Sequence, residues 1–160
     1  MIGFIEGALG AIRGNRAIVH TPGGVGYELA LPLSVLAEIS GRKTVALHVV
    51  TVVKDDAIDL YGFDTAEAKA LFERLIGVSG IGPKAALAML STFSPERLEG
   101  AIVAQDVALI STVPGIGKKT ATRLCVELSD RLARHAVQQG TVSGGRGDLI
   151  SALTNLGFPE

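Results

Sequence analysis

The chain has no tryptophan, a single cysteine and only 4% aromatic residues in its 160 positions. Scarce aromatics argue against base stacking or aromatic cages as the main way of holding a ligand. With Cys125 alone, disulfides and cysteine-based zinc sites are excluded, and its place within a helical pattern makes it small buried filler. His20, His48 and His135 have no ligand-like spacing and read as structural or surface residues. The start, Met1 to Glu6, has no basic stretch and is broken by a charge, so it does not read as a signal peptide, and no apolar run approaches the roughly 20 residues that span a bilayer. These absences leave a cytoplasmic globular protein as the expectation. Net charge is also lacking, at −1, so any attraction for a polyanion has to come from local gathering of cations.

That gathering is present. Gly-Ile-Gly occurs twice, in Val78-Ser79-Gly80-Ile81-Gly82-Pro83-Lys84 and in Val113-Pro114-Gly115-Ile116-Gly117-Lys118-Lys119. Before the first copy, Leu71, Phe72, Leu75 and Ile76 have the spacing of one helix face. After it, Lys84 to Leu90 is a run of strong helix formers, opened by Pro83 at a position where the first turn needs no N–H. The second copy is framed alike, by Val107, Leu109 and Ile110 before it and Ala121, Leu124, Val126 and Leu128 after it. Each unit reads helix, tight glycine turn, helix. Glycine permits positive φ and close approach of another backbone, and the following helix start offers unpaired N–H groups and a positive dipole end. Such a surface takes an anion. Lys84 stands by the first turn, and Lys118, Lys119 and Arg123 by the second, while residues 78–90 and 113–124 contain no Asp or Glu, which points to a phosphate within a chain of phosphates. Contacts of this kind position a protein on DNA without reading its sequence.

A single G-x-G is usually only a turn or a helix cap; two copies with matched flanks and cations weigh against that. A dinucleotide fingerprint, Gly80-x-Gly82-x-x-Ala85 with Glu99 as the ribose acid, fails because the residues before Gly80 have helical rather than strand periodicity. A P-loop fails because Lys119 follows Gly117-Lys118 where Ser or Thr is required, and Thr112 stands in place of the first glycine.

Residues 1–63 are strand-like: Ile2–Leu9, Arg16–His20, Val25–Leu31, Thr44–Val53 and Ile58–Phe63, with one short helix over Pro32–Ile39. Five strands with a helix between the third and fourth suggest a small closed barrel of the OB-fold type. Asp64-Thr65-Ala66-Glu67 has capping-box form, with Asp64 as the cap, and Ser94 and Asp106 open further helices. Residues 64–137 then form an all-α domain of about five helices carrying both hairpins. Residues 138–147 read as a flexible linker, and 148–160 as one capped amphipathic helix, whose apolar residues have to dock on something else. Lys54-Asp55-Asp56 lies where the fourth strand turns back and projects two carboxylates from a hairpin tip. An isolated pair of this kind is ordinarily a solvated turn and a poor magnesium site, but acids near phosphates also repel them and keep strands apart.

Met1-Ile2-Gly3, Gly24-Val25-Gly26-Tyr27-Glu28, Lys54-Asp55-Asp56 leading to Leu60-Tyr61-Gly62-Phe63, both Gly-Ile-Gly hairpins and the closing Leu153-Thr154-Asn155-Leu156-Gly157-Phe158 together resemble the bacterial RuvA family, the Holliday junction branch-migration subunits, over the whole chain. The resemblance implies an α+β multidomain protein: OB-fold domain, helical domain with two helix-hairpin-helix motifs, and the start of a small third domain. It implies a tetramer, or an octamer, that holds a four-way junction open and flat without catalysing a reaction or carrying a cofactor. The ATPase belongs to the hexameric partner RuvB, recruited through the third domain, with the resolvase RuvC in the same complex, in recombination, repair and the SOS response. By position, Gly80, Gly82, Lys84, Gly115, Gly117, Lys118, Lys119 and Arg123 would contact phosphates. Asp55 and Asp56 would form an acidic pin at the junction centre, and Leu149, Ile150, Leu153, Leu156 and Phe158 would bind the motor. Three departures stand out: roughly one helix where the family's third domain normally has three, Lys54 where arginine is familiar, and two aspartates where a Glu-Asp pair also occurs. A DNA glycosylase with the same hairpin is the enzyme alternative, but Asp130 lies too close to the hairpin and Cys125 alone cannot hold an iron–sulfur cluster. A general hairpin module without preference for branched DNA is the third reading.

Overall fold

A computed structural model describes residues 1–140. The first 63 residues form five strands, β1 (Phe4–Arg13), β2 (Arg16–His20), β3 (Gly26–Ala30), β4 (Thr44–Val53) and β5 (Ile58–Phe63), with helix α1 (Leu33–Ile39) between β3 and β4. They close into a barrel in the order β1-β2-β3-β5-β4. One long strand makes closure possible. β1 pairs with β4 through Phe4–Ala8 and with β2 through Ala8–Arg13, and its register shifts between Leu9 and Ile12. A bulge of this sort bends a strand so that it serves two neighbours. The seam is the short parallel contact of β3 with β5, Leu29 opposite Leu60 and Ala30 opposite Tyr61. The OB-type barrel expected from the strand pattern is therefore present, with β1 running four residues beyond its expected end at Leu9.

Alternation fills the barrel. Ala17 and Val19 on β2, and Leu47 and Val49 on β4, point inward at two-residue spacing, and Val35, Leu36 and Ile39 of α1 join the same core.

Five helices follow: α2 (Ala66–Ile76), α3 (Pro83–Thr92), α4 (Pro95–Val103), α5 (Val107–Ile110) and α6 (Lys118–Gly140). The starts of α2, α4 and α5 are capped by short polar side chains. The Leu109 N–H donates to Asp106 Oδ1 at 2.9 Å, and the Arg97 N–H to Ser94 Oγ at 3.4 Å. At α2 the cap is Thr65 rather than Asp64, the Ala68 N–H donating to Thr65 Oγ1 at 3.2 Å. The chain stays extended one residue longer than the capping-box pattern suggested, and the first-turn acid, Glu67, lies at the second helical position.

The face reading holds for α2, where Leu71, Phe72 and Leu75 are fully buried, and it fails at one position of α6. Ala121, Leu124, Cys125 and Leu128 are buried, whereas Val126 is 63% exposed. At about 100° per residue, Cys125 completes the inward stripe and Val126 turns away from it. Burial pushes the Cys125 thiol pKa up. Helix α6 also continues to Gly140, three residues into the stretch that reads as a linker. The apolar residues of 148–160 lie outside the described residues.

Barrel and helices share apolar packing. Ala30, Val50, Tyr61 and Phe63 from the barrel belong to the same buried cluster as the helical residues. Phe72 of α2 lies against both rings, 5.0 Å from Tyr61 and 4.9 Å from Phe63 between centroids. Aromatic contacts at this range contribute about 0.5–1.5 kcal/mol beyond the burial itself. On the other side of the seam, the Leu33 N–H donates to Ser91 Oγ of α3 at 3.0 Å, and Ser34 Oγ donates to the Leu90 carbonyl at 3.4 Å. The helical region is thus clipped to the barrel by α2 and α3.

Candidate nucleic-acid interface

The two glycine turns have the same construction. In the first, the Ile81 N–H donates to the Val78 carbonyl at 3.0 Å, and in the second the Ile116 N–H donates to the Val113 carbonyl at 3.0 Å. All four of those apolar side chains are buried. They anchor each turn in the core, which leaves the glycines on the outside. Gly80 and Gly115 have φ of +88° and +84°, the left-handed region that glycine adopts without strain.

Gly82 and Gly117 are glycine for a different reason. Gly82 is the cap of α3 with φ −88° and ψ 173°, an extended geometry open to any residue, and a Cβ added at either position would meet nothing within 4 Å. Nothing inside the described protein requires glycine there. The exposed glycine at each place leaves room for another molecule to come close to the first-turn N–H groups of α3 and α6.

Lys84, Lys118, Lys119 and Arg123 are all exposed around these turns. Arg123 has a second task, because its Nη1 donates to the Ser79 carbonyl at 3.2 Å. A cation of the second motif therefore braces the first turn. Val126 shares a shallow depression with Lys119, Thr122 and Arg123, so the exposed apolar residue of α6 sits beside the cations.

The β4–β5 turn carries Asp55 and Asp56 at an exposed tip, closed by the Lys54 N–H donating to the Ala57 carbonyl at 2.8 Å. Neither acid has an ion-pair partner among the described residues. Lys54 does: its Nζ lies 2.8 Å from Asp59 Oδ2. Arg16 reaches the same carboxylate at 3.6 Å and Glu28 at 3.1 Å. The hydrogen bond from Lys54 holds the Asp59 carboxyl below the usual carboxylate range, and the same bond raises the Lys54 pKa. Arg16 and Asp59 escape a reading of the sequence, because no motif spacing links them. Only the register of β2, β3 and β5 brings them together.

Other readings lose their footing. The stretch before Gly80 is α2, not a strand, and Glu99 is paired with Arg74 at 3.2 Å instead of facing a ribose. Among the described residues no group of three or more His, Cys, Asp and Glu is placed to hold a metal ion, and no helix is long and apolar enough to cross a membrane. His20 rests on the strand backbone at Gly10 and Gly26, and His48 meets Phe4 edge-on at 5.5 Å.

A closed five-stranded barrel fused through shared apolar packing to two anion-receptive helix-hairpin-helix turns defines a DNA-binding protein of the tandem-hairpin class, with an acidic hairpin added. Residues 72–130 match the family of SAM-like helix-hairpin-helix tandems, and residues 1–62 match the RuvA N terminal domain. Curated relatives cover nearly the same ground. A protein of Solidesulfovibrio magneticus is 45% identical over all of this chain and 83% of its own length. One of Acidobacterium capsulatum is 45% identical over 99% of this chain and 82% of its own length, and one of Geobacter metallireducens 41% identical over 100% and 84%. All three are named Holliday junction branch migration complex subunit RuvA. The chain belongs to the RuvA family.

Proposed function

We propose that this protein binds four-way DNA junctions by shape and phosphate contact, independently of base sequence, as the non-catalytic DNA-binding subunit of a branch migration complex. The observation that carries this reading is the duplicated turn: two helix starts of identical hydrogen bonding, each with cations beside it, tied together by Arg123 and Ser79. Two such grips contact a DNA arm at two places along its backbone, where one grip gives only a point of attachment. Gly80, Gly82, Lys84, Gly115, Gly117, Lys118, Lys119 and Arg123 are the proposed phosphate-contacting residues.

Asp55 and Asp56 are the proposed pin. Two unpaired carboxylates on an exposed tip repel phosphates and disfavour a continuous duplex running across them. Strand separation at a branch point removes that repulsion, so the tip selects branched over linear DNA.

The names of the relatives support a RuvB-type ATPase as the partner that supplies the motor, with Leu149, Ile150, Leu153, Leu156 and Phe158 as its proposed docking residues. A homotetramer around the junction, or an octamer enclosing it, is the proposed assembly, since four arms call for four equivalent grips. RuvC is proposed as a further member of the complex, and the cytoplasm as its location.

The test is a pair of salt titrations, one on an immobile four-way junction and one on a linear duplex of the same sequence. A large preference for the junction with a steep salt dependence supports the reading. Equal affinities leave a general DNA-binding module and remove the pin from the account.

A further inference from the structure

A cleft of about 630 Å³ lies between the barrel and α3. That is within the roughly 300–1,000 Å³ typical of sites for small organic ligands. Arg16 of β2, Lys54 after β4 and Lys84 of α3 all line it, three cations from elements far apart in sequence; Asp59, the acid in the lining, pairs with both Lys54 and Arg16, Glu28 pairs with Arg16 from outside it, and Lys84 has no ion-pair partner among the described residues. Its wall includes Leu33, which is 58% exposed although the other large aliphatic residues of α1 are buried. The cleft is preformed, because the Leu33 N–H is held by Ser91 Oγ across it.

Its lining joins Lys54, the residue before the acidic tip, Lys84, just past the first glycine turn, and Pro114 of the second turn. A strand turned aside by the acids at 55 and 56 meets, next to them, a groove of opposite sign that leads to the phosphate grips. Single-stranded nucleic acid binds where a cationic groove tracks its backbone; here the groove also offers the bases an exposed aliphatic surface, Leu33, in place of aromatic stacking partners. We propose that this cleft holds one or two unpaired nucleotides of the strand that the pin deflects, a single-strand site distinct from the duplex grips at the glycine turns. The proposal rests on the junction-binding reading and specifies where the separated strand goes.

Leu33→Cys tests it in the full chain. The one native cysteine is buried, so the new thiol is the accessible one. Four-way junctions carry a disulfide-activated tether, in one set on a nucleotide next to the crossover and in another midway along an arm; Lys118→Cys is the parallel variant. The expected result is trapping of the crossover tether by Leu33→Cys and of the arm tether by Lys118→Cys. Junction binding with arm trapping by Lys118→Cys but no crossover trapping by Leu33→Cys overturns the cleft proposal and leaves the junction reading standing. Absence of junction binding by the unmodified chain overturns both. A second variant, Leu33→Glu, is expected to weaken binding of an oligothymidine by about fivefold or more while linear duplex binding changes less than about twofold. Equal effects on the two DNAs also overturn it.

Discussion

Arg123 on α6 donates from Nη1 to the carbonyl oxygen of Ser79, 3.2 Å away and 44 positions earlier in the chain. Ser79 directly precedes Gly80, the residue with positive φ in the first turn. The second motif therefore fixes the shape of the first, and the two turns form one surface.

Loss of that brace is expected to act on both turns. Arg123→Ala should weaken duplex and junction binding by more than Lys84→Ala does, roughly tenfold against a few-fold for one exposed phosphate contact, and should speed amide hydrogen exchange at Gly80 and Ile81. Equal losses for the two variants, with unchanged exchange, would show that Arg123 contributes charge alone.

Gly82 allows stability to be separated from binding. Serine is a good helix cap, the backbone there is extended, and the added atoms enter open space. Gly82→Ser is expected to leave the melting temperature unchanged or slightly raised while DNA affinity drops, because the hydroxymethyl group occupies the place proposed for the approaching phosphate. Retained affinity would move the contact away from this helix start.

Lys118 is exposed at the first position of α6. Lys118→Glu reverses a charge at the positive end of the helix and is expected to abolish measurable junction binding at physiological salt. Lys118→Ala should reduce the slope of log affinity against log salt by about one. Unchanged binding by the glutamate variant would remove the second turn from the interface.

The two acids at the tip make the opposite prediction. Asp55→Asn combined with Asp56→Asn should strengthen binding to linear duplex and narrow the gap between junction and duplex, since it removes repulsion without altering shape. Equal duplex affinity for both proteins would count against a separating role.

Asp59 supplies a pH test. Its pKa is lowered in the fold, so its contribution to the hairpin is fully present above the ordinary aspartate value of about 3.9 and is lost as pH falls through the lower folded value. Lys54, with its pKa raised, keeps its share until pH climbs above the ordinary lysine range. The stability difference between wild type and Asp59→Asn, read from thermal melts, should be constant near neutrality and shrink below about pH 4. A difference that persists undiminished in acid would mean that the variant acts through packing.

Local patterns made much of this legible. Strand alternation placed β2, β4 and β5 at their observed bounds, and the two Gly-Ile-Gly frames revealed the turns, since both signals lie within a few residues of one another. What depends on the third dimension was not legible. The parallel seam between Leu29 and Leu60 joins residues far apart in the chain, and the cluster of Arg16, Lys54 and Asp59 exists only once that seam has closed. Hydrophobicity alone does not distinguish the inward stripe of α6 from a valine beside it, so Val126 reads as buried in the sequence, whereas Cys125 holds the inward place. The double use of Arg123 has no local trace either, as its partner is a backbone carbonyl.

The packing of Phe72 against Tyr61 and Phe63 sets a length as well as a stability. With barrel and helices sharing buried side chains, the distance from the acidic tip to the glycine turns cannot vary without opening that core. On the proposed reading the protein works as a caliper of fixed jaw width, so the DNA is expected to supply the bending, and a substrate already bent to the gauge is expected to be held most tightly.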